Sequence, residues 1–297
     1  MEINRRLAAR LRCPICGAAM AADGRALVCA NRHSYDIGRR GSVNFVTHKV
    51  TEFYKRPLFE ARRRIWASGL YAPLAERMSG LLSGAVEGGA LALLDAGCGE
   101  GSALRAVSER LAAQAVCVDA CGVDLAADGI KLAASGAALS GESNADCLWL
   151  VQDINKLPFT EGSFDAVLNL LSPAGYAKFS RVLRPGGLLV KVLPESGYLK
   201  QLRGVLPAVK TEPATPREAI TGRLAERFQN VRFERLEYER ELPPDRALDL
   251  LQMTPMTANL PQTALQNAAM QLAADGGVRV TIDLTIAVCE ASRATQI

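Results

Sequence analysis

An α/β fold, with a mostly parallel sheet buried on both faces and a small metal-held module ahead of it, is what the 297-residue sequence predicts. Three observations carry this. Five apolar runs of strand length alternate with helix-length segments through the middle of the chain, the pattern of a parallel sheet covered on both sides. The first run passes into Asp95-Ala96-Gly97-Cys98-Gly99-Glu100-Gly101, a strand-to-helix turn crowded with glycine. Ahead of them, Cys13, Cys16, Cys29 and His33 stand at the spacing of two metal-binding knuckles.

In chain order, C-x2-C-x12-C-x3-H sets the knuckles on either side of a hairpin-sized stretch with Asp23-Gly24 as its turn, so that four ligands can close a tetrahedron. Zinc suits this set. With no open position the site is structural, and it holds together a module, residues 1–45, that could not fold on its own core. The competing reading is a pair of reduced or redox-active thiols; Cys13-Pro14-Ile15-Cys16-Gly17 carries the knuckle glycine and lacks a βαβ setting. His48 reads as a linker residue, because the tetrahedron is already complete. Residues 46–89 form a connector. It is helical over about 50–84, where Leu58, Ile65 and Leu74 recur at apolar spacing with a break at Ser68-Gly69 and Pro73, before a Gly-rich stretch at 83–89. The module and the domain that follows, residues 90–297, are expected to have separate cores.

The D-x-G-x-G-x-G turn after Leu93-Leu94 lets backbone touch a ligand, since glycine reaches φ > 0 and puts no Cβ in the way, while the next helix aims free N–H groups at it. A dinucleotide fold would space its glycines G-x-G-x-x-G to hold a pyrophosphate. Here the third glycine comes one residue early and Asp95 precedes the first, which suits the zwitterionic tail of S-adenosylmethionine (SAM). A Gly-rich turn in some other α/β domain is the alternative. The second strand, 121–125, brings Asp124 to the place where an acid meets ribose hydroxyls. The third, 147–151, runs into Gln152-Asp153, and Asp153 would face the adenine amino group. Loop capping is the plainer role for either Asp. Glu100, Leu125 and Ile154 complete the expected cofactor set. Strands at 164–171 and 188–193, the latter after a turn at 183–187, and helices at 103–112 and 126–139 complete the parallel part. Residues 194–216 read as a mobile insert over the site. Two antiparallel strands, 231–242 and 278–290, around a helix at 244–253, make a seven-stranded class I methyltransferase core.

A hydrophobic fraction of 49% with 22% charged residues is globular, and no apolar run is long enough to span a membrane. The first residues lack a signal-peptide pattern, so a cytoplasmic protein is expected. Cys98, Cys117, Cys121, Cys147 and Cys289 read as small buried thiols. Residues 1–64 carry a surplus of nine positive charges in a chain of net charge +4. Arg32, Arg39, Arg40, Lys49, Lys55, Arg56, Arg62, Arg63 and Arg64, interleaved with Tyr35, Phe45, Phe53 and Tyr54, form a candidate RNA-reading surface of phosphate-neutralising cations and base-stacking rings. The other reading is a basic face that only pairs with the acidic remainder.

Beyond these readings, a series of motifs runs over nearly the whole chain. They are Cys13-Pro14-Ile15-Cys16-Gly17, Cys29-x3-His33-Ser34-Tyr35-Asp36, Gly41-Ser42-Val43-Asn44-Phe45, Glu60-Ala61-Arg62-Arg63, Gly69-Leu70-Tyr71-Ala72-Pro73-Leu74, the Asp95–Gly101 turn and Leu250-Leu251-Gln252-Met253-Thr254-Pro255. Together they resemble the RlmA-type 23S ribosomal RNA (guanine-N1)-methyltransferases. The resemblance implies a zinc-binding RNA-recognition module on a Rossmann-like SAM domain, 23S rRNA as partner, a possible homodimer, and methylation of guanine N1 in a hairpin. It places zinc on Cys13, Cys16, Cys29 and His33, and SAM on Asp95, Gly97, Gly99 and Gly101. Asn169, Ser172 and Pro173, in Asn169-Leu170-Leu171-Ser172-Pro173-Ala174, would line the guanine pocket, although many family members have an aromatic there. No catalytic base is identified. A small-molecule O- or N-methyltransferase that keeps the zinc module, and a catalytically silent SAM-fold binder, are the alternatives; an apolar closed pocket would mark the former.

Overall fold

The computed structural model describes residues 5–47, 54–136, 147–206 and 217–292. His48, Lys49 and Phe53 lie outside the described residues, as do the end of the expected helix at 126–139 and residues 207–216 of the expected insert.

A helical turn, Arg5–Ala8 (α1), precedes an antiparallel ribbon of Met20–Asp23 (β1), Ala26–Cys29 (β2) and Ser34–Asp36 (β3). The first hairpin turns at Gly24, as expected. A short strand, Ser42–Asn44 (β4), then leaves the ribbon. The connector is two helices, Arg56–Ala67 (α2) and Ala72–Ser83 (α3), each with proline in its first turn, where the missing N–H costs nothing. Their break falls at Ser68-Gly69, with Gly69 at φ +80.

The domain that follows contains Ala90–Ala96 (β5), Ser102–Ala112 (α4), Cys117–Asp124 (β6), Ala127–Ala134 (α5), Cys147–Val151 (β7), Phe164–Leu170 (β8), Tyr176–Val182 (α6) and Leu183–Pro194 (β9). It continues with Lys200–Val205 (α7), Arg217–Ala225 (α8), Phe228–Leu242 (β10), Ala247–Gln252 (α9), Gln262–Leu272 (α10) and Val278–Ala291 (β11). The main sheet runs β10-β11-β9-β8-β5-β6-β7-β4. β11 is antiparallel to both neighbours and the remaining pairs are parallel. The seven expected strands are present, and β4 of the N-terminal module adds an eighth at the edge, Val43 pairing with Leu150.

That edge strand corrects the expectation of separate cores. Leu7, Leu11, Val43 and Phe45 belong to the same apolar cluster as Leu94, Leu148 and Val167 of the sheet. Backbone seams close the join: Arg12 N–H donates to the Pro158 carbonyl at 2.8 Å and Phe45 N–H to that of Val151 at 3.0 Å. A module this small buries too little apolar area alone, so it borrows a face of the sheet. On the other face, the connector helices pack with α4 and α9 over Leu93, Val190 and Leu284.

Two further differences concern the second half. The expected insert is folded over residues 195–206: Leu199 and Leu202 are buried, and Leu199 N–H donates to the Thr281 carbonyl at 2.9 Å. The turn expected at 183–187 is instead the irregular start of β9, with a register shift against β8 and Gly186 at φ +76. Of the five cysteines expected in the sheet core, Cys98, Cys121 and Cys289 are buried, Cys147 is partly so, and Cys117 is exposed at the start of β6.

Candidate active site and metal centre

The ribbon brings Cys13, Cys16, Cys29 and His33 together with all four ligand atoms within 4.8 Å of one another. Cys16 Sγ lies 3.7 Å from Cys29 Sγ, and His33 Nδ1 lies 3.5 Å from both Cys13 Sγ and Cys29 Sγ. A tetrahedral zinc with bonds of about 2.3 Å to sulfur needs edges of about 3.8 Å, so the donor set fits. The N–H of Ala18 and the Asn31 side chain pull the Cys16 thiol down to about 6, toward the thiolate that a metal binds. No fifth donor is among the described residues of this group.

The cofactor turn follows from the sheet order. β5 pairs with β6 on one side and β8 on the other, so the connections diverge there and leave a crevice at its carboxyl end. Gly97, Gly99 and Gly101 take φ of +90, +57 and +79, as the spacing requires. A Cβ on Gly101 would sit 2.4 Å from the Trp149 ring, and one on Gly97 would sit 2.1 Å from Ser172 Oγ. Neither position admits a side chain.

Three carboxylates converge on this turn. Asp95 is buried and neither of its oxygens has a hydrogen-bond partner among the described residues. Burial, reinforced by Asp124 and Glu100, pushes it up to about 8. Burial also raises Glu100, opposed by the Arg62 charge, and one Glu100 oxygen is likewise unpartnered. Asp124 accepts from Gly99 N–H and Ala126 N–H, both at 2.8 Å, so it pins the turn with acceptor capacity to spare. Orphaned buried carboxylates beside a side-chain-free cradle fit a ligand carrying an ammonium and a sulfonium. Leu125 is exposed beside Asp124. Asp153 accepts from Asn155 N–H at 2.8 Å and caps the short helix over Ile154–Lys156, the plainer role foreseen for it. Ile154 is partly buried next to it.

The connector supplies residues that the sequence reading had assigned elsewhere. Arg62 Nη2 donates to the Met253 carbonyl at 3.1 Å, its guanidinium lies 5.7 Å from the Phe59 ring centroid, and its Nη1 lies 3.2 Å from where a Gly99 Cβ would be. Arg63 bonds the Leu132 carbonyl. Arg64 grips Asp249 through two nitrogens at 2.7–3.0 Å. These three arginines therefore bind the protein itself, with Arg62 and Arg63 partly buried and Arg64 still exposed. Tyr35 and Phe45 are withdrawn: they are buried against each other at 4.8 Å. The exposed arginines among the described residues of the module are Arg6, Arg25, Arg32, Arg39 and Arg40. Arg25 and Arg39 help line a cavity of about 340 Å³ with Gly24, Ile37 and Gly38.

On the acceptor side, Asn169 is fully buried. Its Nδ2 donates to the carbonyls of Ala96 (2.6 Å) and Pro173 (3.0 Å), and its Oδ1 accepts from Lys191 Nζ at 2.6 Å. Its amide is thus turned into the protein, and the groups at the loop surface are Leu171, Ser172 and Pro173. Leu171 is exposed with φ +48, a conformation few side chains adopt without support.

A Rossmann-like sheet with a glycine turn at its switch point, joined to a four-ligand zinc ribbon, defines a SAM-dependent methyltransferase. Residues 93–187 match a methyltransferase domain model, and residues 11–50 match the model for the RlmA N-terminal zinc ribbon. The Bacillus subtilis (strain 168) protein named "Putative 23S rRNA (guanine-N(1)-)-methyltransferase YxjB" is 35% identical over 279 residues, covering 93% of this chain and 95% of the relative. The Streptomyces fradiae 23S rRNA (guanine(748)-N(1))-methyltransferase is 31% identical over 94% of this chain and 96% of its own. The chain belongs to this RlmA family of 23S rRNA (guanine-N1)-methyltransferases. Among solved structures, Haemonchus contortus phosphoethanolamine N-methyltransferase 2 shares the fold at a TM-score of 0.52 and 16% identity, over 82% of this chain and 61% of that one. SAM and zinc are the two cofactors of the fold and the ribbon. No helix among the described residues is long and apolar enough to cross a membrane.

Proposed function

We propose that this protein methylates N1 of a guanine in a hairpin of 23S rRNA. The observation that carries the reading is the joining of the two halves: a zinc ribbon of the RlmA type, with Arg25, Arg32, Arg39 and Arg40 exposed, is fused through β4 to the sheet whose switch point holds the cofactor turn. Family membership over more than nine-tenths of the chain supports the same substrate.

When bound, SAM supplies an electrophilic methyl group. Asp124 would hold its ribose and Leu125 its adenine, with Ile154 and the remaining oxygen of Asp153 beyond. Asp95 and Glu100 would face its positive charges, and Arg62 Nη1 its carboxylate. The target base, swung out of its stack, would rest on Leu171 and Pro173 with the Ser172 hydroxyl on its edge. Its N1 must lose a proton as it gains the methyl group, and in-line placement supplies much of the acceleration. Arg39 and Arg40 would neutralise phosphates along the approach. The cell compartment that holds rRNA, the cytoplasm, is the expected place of action, and a homodimer belongs to the same proposal.

The experiment is methyl transfer from labelled SAM to 23S rRNA and its hairpin fragments, followed by nucleoside analysis. The expected product is 1-methylguanosine. Arg39→Glu with Arg40→Glu should weaken RNA binding without changing SAM affinity, and even four phosphate contacts give a slope of about −3 in log affinity against log salt. No transfer to any 23S fragment, with transfer to a small aromatic metabolite instead, would overturn the reading.

A further inference from the structure

Lys191 has entered the site so far only as a donor to Asn169. It is almost fully buried on β9, paired across the sheet with Asn169, and no carboxylate lies within ion-pair distance of it among the described residues. Its Nζ donates to Asn169 Oδ1 at 2.6 Å and to the Ser172 carbonyl at 2.5 Å. Asn169 in turn donates to the carbonyl of Ala96, which precedes the first cofactor glycine, and to that of Pro173 in the acceptor loop. One amine therefore ties together the two peptide segments that must present donor and acceptor to each other.

We infer that Lys191 is the positioning residue of the acceptor loop, fixing Leu171–Pro173 against Gly97 through Asn169 and the Ser172 carbonyl. The inference rests on the acceptor reading of this loop given above. Three features support it. First, the loop contains Leu171 at φ +48, and such a residue persists only where its surroundings over-determine it. The bonds that do so come from neighbouring positions on β9: Leu171 N–H to the Val192 carbonyl at 3.1 Å, and Lys191 to Ser172. Second, the approach is tight, since Ser172 Oγ occupies the space a Gly97 Cβ would need. A shift of the loop by a fraction of an ångström alters the donor–acceptor distance directly. Third, both hydrogen bonds of the amine go to this one network, to Asn169 Oδ1 and to the Ser172 carbonyl. Burial pushes the Lys191 amine down to about 8, so it keeps its charge at neutral pH, where its bonds to these two oxygens are charge-assisted.

Lys191→Met tests this, since it keeps an unbranched stem of similar volume and removes only the amine. Three results are expected in the full-length, zinc-loaded protein. Hydrogen exchange at the Leu171 amide rises several-fold while β5 amides keep their protection. SAM affinity stays within twofold. Turnover on a 23S hairpin falls tenfold or more with KM for the RNA unchanged. Lys191→Gln, which keeps two N–H donors on a shorter stem, should recover part of both the protection and the turnover. Unchanged exchange at Leu171, or a loss of SAM affinity in step with turnover, overturns the inference. The exchange measurement needs no RNA, so a wild type inactive on 23S RNA would sink the substrate reading while the loop role is still decided.

Discussion

The cofactor turn and the acceptor loop meet where Ser172 lies against Gly97, yet they are held by opposite means. The turn is held by what its residues lack: glycines at φ of +57 to +90 pass between Trp149 on one side and Ser172 on the other, with Asp124 pinning the Gly99 amide. The loop is held by side chains reaching in from elsewhere, with Asn169 beneath it and Lys191 behind. The difference teaches which half of an active site can be read locally. Backbone constraints leave a compact signature, while a buried polar network spreads over residues far apart in the chain.

The zinc module is the control for this contrast, since metal ligation is both local in signature and global in consequence. With Val43 and Phe45 in the sheet's own apolar cluster, removing zinc with a chelator, or making Cys16→Ser, should lower the melting temperature of the whole chain by on the order of 10 °C. Calorimetry that resolves an early module transition and an unmoved second one would show the cores to be separate after all.

A smaller effect sharpens the cofactor side. Asp124→Ala removes a carboxylate that pins Gly99 and, in the proposed reading, holds the ribose, and should weaken SAM binding by about 1.5–3 kcal/mol, the range for hydrogen bonds to a charged group. Titration calorimetry giving wild-type affinity would remove Asp124 from the site.

Smaller still is a dependence on pH. Burial raises Asp95 to about 8, so in the free protein its contribution to stability is full at low pH and is lost as pH rises from its unfolded value near 4 through 8. A bound cation favours the carboxylate. SAM affinity should therefore climb, by up to about tenfold per pH unit, as pH rises toward 8 and flatten above it, with proton uptake by buffer on binding. Asp95→Asn should remove that component of the slope; an unchanged slope in the variant would show that Asp95 does not sense the ligand.

The same contrast explains what was legible in the sequence. The glycine spacing, Asp124 and the zinc quartet each impose a residue type at a fixed local distance, and each lies where the pattern put it. Asn169 is legible as a candidate pocket residue at the end of the fourth strand, but its inward orientation is not, because that depends on Lys191 in another strand and on two carbonyls. The bonds that Arg62, Arg63 and Arg64 make to the protein are not legible in the charge pattern for a related reason. A count of cations near the N-terminus carries no information that α2 lies against α9, where Asp249 and the Met253 carbonyl take two of them. Nor could composition show that Tyr35 and Phe45 pack on each other rather than face solvent. The extra edge strand β4 is only three residues long, too short to carry a periodic signal of its own.

The central claim, that donor turn and acceptor loop act together on guanine N1 of 23S rRNA, is tested most directly by nucleoside mass spectrometry of that RNA. It would be isolated from cells with the gene, without it, and with it carrying Lys191→Met. The account predicts a 1-methylguanosine at one hairpin position that disappears on deletion and returns only in part with the variant. Equal 1-methylguanosine content in all three would contradict it.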